Sequence, residues 1–244
     1  MLDETGDVGS GPCGTGFPRH LAVIPDGNRR WAERQGLPLV EAYRAGALRV
    51  HDLMTWCEAT GIEYVTVWAL SRDNLRRAPA AVLDILHTVV DRLEKMAATN
   101  RWRIRVIGAP EELPGAEARA LRAVEERTGR IPGVTLNTAI AYSGRAELTA
   151  AVRDLVRHHP VDTVTSLSPT AAERRLGMCL STAGQPDVDL VVRTSGEQRM
   201  SDFMLWQTAY AELYFCDVPW PDFHRAHFDG ALAAYRSRRR RHGI

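Results

Sequence analysis

Apolar residues along this chain fall into two spacings. Short, nearly unbroken apolar runs occur at residues 20–24, 65–69, 104–107, 134–140 and 190–192. Runs of that length with little polar alternation predict strands covered on both faces, as in a parallel sheet. Between them, Val50, Leu53, Met54 and Cys57 recur at one-face helical spacing, as do Val82, Ile85, Leu86, Val89, Leu93 and Met96. Strand and helix alternate, which predicts an α/β protein with a mainly parallel central sheet surrounded by helices. Residues 213–215 predict one further short strand. Residues 1–18 are rich in glycine and poor in apolar anchors, so they read as a disordered arm ahead of a single domain over 19–244.

Composition narrows the function classes. The chain carries 31 basic and 30 acidic residues, a formal net charge of +1, so no global field recruits nucleic acid. The arginine run from Arg236 to Arg241 lacks the interleaved aromatics of a nucleic-acid surface. Any anion site must therefore be local. Cys13, Cys57, Cys179 and Cys216 form no Cys-x-x-Cys pair, which argues against structural zinc and a disulfide scaffold. No apolar run is long enough to span a bilayer, and the first residues lack the basic and apolar regions of a signal peptide. A cytoplasmic protein is expected.

The candidate chemistry begins where the first apolar run ends, at His20-Leu-Ala-Val-Ile-Pro-Asp26-Gly27-Asn28-Arg29-Arg30-Trp31. A strand tip that carries a carboxylate, a glycine and two arginines suits a phosphate-bearing ligand. Gly27 lets backbone approach closely, Asp26 can hold a cation, and a helix starting at Asn28 would aim free N–H groups at the anion that Arg30 meets. The same residues could form an ordinary Asp-Gly-Asn turn with a surface arginine. Ligands on parallel sheets bind at the carboxyl ends of strands. Asp26, Ser71 with Asn74, and Arg193 all follow predicted strand ends and can share one rim.

A second segment, Arg193-Thr-Ser-Gly-Glu197-Gln-Arg199-Met-Ser201-Asp202, follows the run at 190–192 and leads on to Trp206, Tyr210 and Glu212. With the opening motif and the block from Leu70 through Ser71 and Asn74 to Arg77, the chain resembles the cis-prenyltransferases. These are the undecaprenyl diphosphate synthase-like family, which includes shorter-chain Z-farnesyl diphosphate synthases. The resemblance runs from about His20 to Gly243 with the motifs in order. It implies that isopentenyl diphosphate is condensed with an allylic diphosphate into a Z-configured polyprenyl diphosphate, in a fold with a hydrophobic tunnel for the growing chain. Ionising an allylic diphosphate leaves a highly negative group that needs preorganised donors and a divalent cation, here Mg²⁺.

By that resemblance Asp26 is the essential carboxylate, and Gly27, Asn28, Arg29 and Arg30 bracket the allylic diphosphate, with Arg77 assisting. Arg193, Arg199 and Ser201 match the isopentenyl diphosphate pocket, where guanidinium forks grip phosphate in pairs of hydrogen bonds. Glu212 matches a second acidic position associated with Mg²⁺. Asn74 and Ser71 match a hydrogen-bonding pair active in condensation and proton removal, although Asn74 also reads as a helix N-cap. Trp31 and Tyr43 complete the expected substrate-binding set, and Trp31 also reads as a packing residue. Arg199 with Glu197 could instead be a loop-capping ion pair. Arg241 and Gly243 match a C-terminal Arg-x-Gly motif that reaches a partner subunit's site, so a homodimer is implied.

Several positions depart from the commonest long-chain pattern: Pro25, Leu39, Tyr43, Leu75, Gln198 and Asp202. Tyr43 stands where a histidine is frequent, and a phenol titrating near 10 would not relay protons in the same way. Leu75, Tyr43 and the Thr194–Arg199 form resemble the short-chain branch, whereas Ala69 is small where short-chain relatives often carry more bulk. A short product is expected. A long-chain synthase, in transient contact with membrane, and a non-elongating diphosphate-binding relative or accessory subunit are the alternatives. The chain has no Asp-Asp pair, which disfavours a trans-prenyltransferase, and no Gly-x-x-x-x-Gly-Lys loop, which disfavours a nucleoside triphosphatase.

Overall fold

The computed structural model describes residues 16–238. Six strands form one sheet: β1 (His20–Ile24), β2 (Tyr64–Ser71), β3 (Arg103–Gly108), β4 (Thr135–Tyr142), β5 (Leu190–Arg193) and β6 (Glu212–Phe215). Their order is β3-β4-β2-β1-β5-β6, and every neighbouring pair is parallel. All the strands expected from apolar runs are present. Among the described residues eight α-helices connect or flank them: α1 (Asn28–Gln35), α2 (Leu39–Thr60), α3 (Pro79–Ala98), α4 (Gly115–Thr128), α5 (Gly144–His158), α6 (Val161–Thr165), α7 (Pro169–Gly177) and α8 (Arg225–Ser237).

Strand alternation divides the core between the two faces of the sheet. Leu21 and Val23 of β1 pack with Leu53 and Met54 of α2, Ile85 and Leu86 of α3, and Phe228 of α8. Ala22 and Ile24 face the other way, toward Val191, Phe203 and Met204. Both faces of β1 are thus covered, which is why all five of its residues are buried and why no polar alternation marks it. Of the arm expected over 1–18, Gly16–Pro18 fall within the described residues. Phe17 packs against the core with the Arg236 guanidinium 5.2 Å above its ring, and the rest of the arm lies outside the described residues.

The strand order determines where a ligand can bind. From β1 the chain crosses to β2 on one side, and from β5 to β6 on the other, so β1 and β5 are neighbours whose connections diverge. Divergence opens a crevice beyond the carboxyl ends of that pair. The register sets Ile24 opposite Arg193, and Asp26 therefore leaves β1 at the mouth of the crevice. Among the described residues, no helix is long and apolar enough to cross a membrane.

Candidate active site

Asp26 is held at the strand tip by β5. Its backbone N–H donates to Thr194 Oγ1 at 2.8 Å, and the Thr194 hydroxyl donates to the Asp26 carbonyl at 2.8 Å. The Asp26 carboxylate accepts from the Gly27 N–H at 2.7 Å and from Arg193 Nη2 at 2.9 Å. Gly27 has φ +95°, a left-handed conformation that disfavours any residue with a Cβ. A Cβ there would also stand 2.6 Å from Ser195 Oγ and 2.9 Å from Pro219 Cα. Gly27 is therefore required twice over, by its dihedral angle and by the close approach of two loops.

Helix α1 begins at the next residue, and Trp31 N–H is the donor that reaches back to the Gly27 carbonyl at 2.9 Å. The N–H groups of Asn28, Arg29 and Arg30 precede that bond and have no acceptor within the helix. They open toward a cleft of about 570 Å³ lined at its mouth by Asp26 to Arg30, Ser71, Asn74, Arg77, Arg193, Arg199 and Ser201. Its deeper wall is apolar: Ala47 and Val50 of α2, Val67 and Ala69 of β2, and Ile85 and Val89 of α3. The helical stripes that sequence reads as core thus divide their work. Leu53, Met54 and Leu86 are buried against the sheet, while Val50 and Val89 reach the cleft.

Arg193 is 4% exposed, an unusual depth for a charged side chain. Three acceptors make it tolerable: Asp26, Ser201 Oγ at 3.0 Å, and the Arg199 carbonyl. Among the described residues its Nε has no partner. Asn28 Oδ1 is likewise buried without a partner, beside Gly46 and Trp220, and its Nδ2 donates to the Pro25 carbonyl at 3.2 Å. Arg193 and Asn28 both line this cleft. Arg30 and Arg199 both meet Glu197, at 3.2 Å for Arg30, so the loop ion pair considered from sequence exists and also ties the two halves of the mouth together. Five arginines (Arg29, Arg30, Arg77, Arg193, Arg199) share the mouth with Asp26 and Glu197. That local excess of positive charge suits a polyanion in a chain of near-zero net charge.

Ser71 ends β2 and accepts from the Asn74 N–H at 3.1 Å, which starts a short 3₁₀ turn (Asp73–Arg76) and presents both residues to the cleft. Asn74 is not the N-cap of α3, whose capping position is Ala78 ahead of Pro79. Tyr43 lines the cleft from α2. Burial pushes its phenol above the ordinary value while Arg77, which shares a hydrogen bond with it, and Arg29 pull the other way. It therefore stays protonated at neutral pH and cannot serve as the proton acceptor that a histidine there could be.

Two expected residues stand away from the cleft. Trp31 donates its Nε1–H to Asp222 at 2.8 Å, on the side of α1 turned from the cleft. Glu212 is paired with Leu190 and not with Arg193, at the amino end of β6. Three strand residues, about 10 Å at the usual rise, separate it from the rim, and Arg238 takes its carboxylate at 2.6 Å. Parallel pairing causes this: a residue that opens a strand lies at the edge opposite the ligand crevice. Arg241 and Gly243 lie outside the described residues. Thr194 and Glu197, by contrast, help build the site although spacing did not mark them as ligand-facing. Their roles depend on the β1–β5 pairing, which local sequence does not display.

A magnesium ion fits this arrangement through one protein carboxylate. Among the described residues no group of three His, Cys, Asp or Glu could hold a metal by itself. Magnesium is commonly held by one or two carboxylates plus substrate phosphate oxygens and water. Asp26, its side chain 32% exposed and each oxygen accepting a single bond, keeps lone pairs directed at the cleft.

Comparison with known proteins agrees with this geometry. The family described as "Putative undecaprenyl diphosphate synthase" matches residues 24–243. The chain is 43% identical over 232 residues to (2Z,6E)-farnesyl diphosphate synthase of Mycolicibacterium smegmatis, covering 93% of this chain and 88% of that one. It is 42% identical over 228 residues to isoprenyl transferase 1 of Streptomyces avermitilis, covering 93% and 89%. The crystal structure of lavandulyl diphosphate synthase from Lavandula x intermedia, in complex with dimethylallyl diphosphate, superposes with a TM-score of 0.86 at 30% identity, covering 94% of this chain and 99% of that one.

Proposed function

The chain belongs to the undecaprenyl diphosphate synthase family, and from that membership we propose that it is a short-chain cis-prenyltransferase that condenses isopentenyl diphosphate with an allylic diphosphate. The observation that carries this reading is the Asp26–Arg193 pair, where a carboxylate and a deeply buried guanidinium meet at the diverging strand ends. It stands at the mouth of a cleft whose inner wall is hydrocarbon. A diphosphate head at the arginines and a prenyl tail along Val50, Val67 and Val89 match that polarity.

In this reading the free N–H groups of α1, with Arg29 and Arg30, hold the allylic diphosphate, and charge that develops on it as the C–O bond breaks meets donors already in place. Arg77 assists. Magnesium, when bound at Asp26, supplies further charge neutralisation of the leaving diphosphate. Arg199 and Ser201 hold isopentenyl diphosphate, whose double bond attacks the allylic carbon, and Arg193 keeps both residues in register with Asp26. Ser71 and Asn74 sit where the allylic carbon and the proton to be lost can be oriented. The apolar wall shields the cation from water. The likeness to (2Z,6E)-farnesyl diphosphate synthase of Mycolicibacterium smegmatis supports a product of few isoprene units. Ala69 on that wall is the position at which added bulk would cut elongation shorter. Val152 and Val156, one turn apart on α5 and both exposed, support association of two copies through that face.

Incubation of the purified protein with labelled isopentenyl diphosphate, magnesium and each allylic primer in turn, with products resolved by length and double-bond geometry, tests the reading. A Z-configured product of two or three isoprene units is expected. A dominant product of many units would overturn the short-chain assignment, and no condensation with any primer would overturn the enzymatic one.

A further inference from the structure

The segment that carries Arg199 and Ser201 is conformationally costly. Between β5 and β6, four non-glycine residues adopt positive φ: Ser195 (75°), Ser201 (52°), Asp202 (75°) and Met204 (47°). Each such residue costs on the order of 1 kcal/mol or more, so the loop holds this shape only where its surroundings enforce it. Arg193 enforces one side, through Ser201 Oγ and the Arg199 carbonyl. The other side is held by a helix remote in sequence. Asp202 Oδ1 accepts from the Arg145 N–H at 3.0 Å and Oδ2 from the Ser143 hydroxyl at 2.6 Å, while the Asp202 carbonyl accepts from the Gly144 N–H at 2.9 Å. Ser143 is the N-cap of α5 and accepts in turn from the Ala146 N–H at 3.2 Å.

We propose that Asp202 is a positioning residue for the isopentenyl diphosphate subsite: seated on the N-terminus of α5, it locks the strained loop in the shape that presents Arg199 and Ser201 to the substrate. A carboxylate suits this place better than the amide frequent there in the long-chain pattern, because it meets the positive end of the helix dipole and accepts two charge-assisted bonds. Gly144 belongs to the same device. It is buried, and a Cβ on it would stand 2.8 Å from the Asp202 carbonyl and 2.9 Å from Leu205 Cγ, so only glycine lets helix and loop meet. The inference rests on the assignment of Arg199 and Ser201 to isopentenyl diphosphate, and it adds that α5, which does not line the cleft, determines affinity there.

Steady-state kinetics with each substrate varied, on Asp202→Ala, Asp202→Asn and Gly144→Ala, test it alongside amide hydrogen exchange of residues 199–204 in the substrate-free protein. Asp202→Ala should raise KM for isopentenyl diphosphate about tenfold, the loss of one or two hydrogen bonds, with kcat and the primer KM changed less than about twofold. Exchange in the loop should quicken. Asp202→Asn should recover to within about threefold, since the amide oxygen can still accept from Arg145 and the NH₂ group can meet Ser143. Gly144→Ala should reproduce the alanine pattern with Asp202 intact, and it decides the matter together with Asp202→Asn if Asp202→Ala does not fold. Equal effects on both substrates, a fall in kcat alone, or unchanged KM would overturn the proposal. Failure of the wild-type protein to condense any primer would refute the substrate assignment instead. The exchange measurement then decides the positioning role, and an unchanged loop would overturn it.

Discussion

Removing the Asp26 carboxylate separates the catalytic from the structural part of the site. Arg193 is 4% exposed and has three acceptors, of which Asp26 is the charged one. Breaking a fully buried ion pair costs about 3–5 kcal/mol, but the Asp26 side chain is 32% exposed, so water can reach the vacated place. The lower figure for a hydrogen bond to a charged group, about 2 kcal/mol, is the better guide for Asp26→Ala. In a chain of this size that lowers Tm by about 4–8 °C. Asp26→Asn should lose about half as much, because its amide oxygen can still accept from Arg193. Turnover should behave differently. Both variants lose the charge that, in the proposed reaction, would hold magnesium against the departing diphosphate, so both should fall at least about 10²-fold in kcat at saturating magnesium. Thermal melts and initial-rate assays on the same preparations would separate the two effects. An alanine variant that retains near-wild-type turnover, or an asparagine variant whose activity recovers in step with its stability, would refute the reasoning.

Arg199→Lys should raise KM for isopentenyl diphosphate more than KM for the primer, since an ammonium cannot replace a guanidinium fork; equal rises in substrate-varied kinetics would mean the subsites are misassigned. Ala69→Leu should shorten the product distribution with the first condensation intact, measured by chromatography of labelled products, and an unchanged distribution would remove Ala69 from the chain-limiting wall. His20 is fully buried, with Nδ1 donating to the Pro186 carbonyl at 2.9 Å and Nε2 meeting the Thr66 hydroxyl at 2.8 Å, and burial depresses its pKa below 6.5. A depressed histidine stabilises the fold fully above the unfolded pKa, and that contribution is lost as pH falls through 6.5 toward the folded value, by at most about 1.4 kcal/mol per unit. Urea titrations from pH 7 to pH 5 should show the decline in wild type and a flatter profile in His20→Gln; identical slopes would assign the acid sensitivity elsewhere.

Much of this protein was legible one residue at a time. Apolar runs bounded by turn residues marked β1 to β6, most clearly β1, β4 and β5, whose residues are buried on both faces, and one-face spacing marked α2 and α3 for the same local reason. Asp26, Gly27 and Arg193 were legible because each lies at or just past the carboxyl end of a strand, and the carboxyl ends of parallel strands share one edge. What local pattern could not supply was the order of those strands. Only the tertiary structure makes β1 and β5 neighbours, and with them the bonds from Arg193 to Asp26 and from Thr194 to its backbone, across more than 160 residues of chain. The same pairing carries Glu212 to the opposite edge, an outcome set by register and invisible in composition. Val50 and Leu53 recur on one helical stripe yet divide into cleft wall and core, and Asp202, an isolated substitution in sequence, becomes a bond acceptor for α5. Spacing along a chain encodes which face of an element is apolar; which element that face meets is a property of long-range pairing.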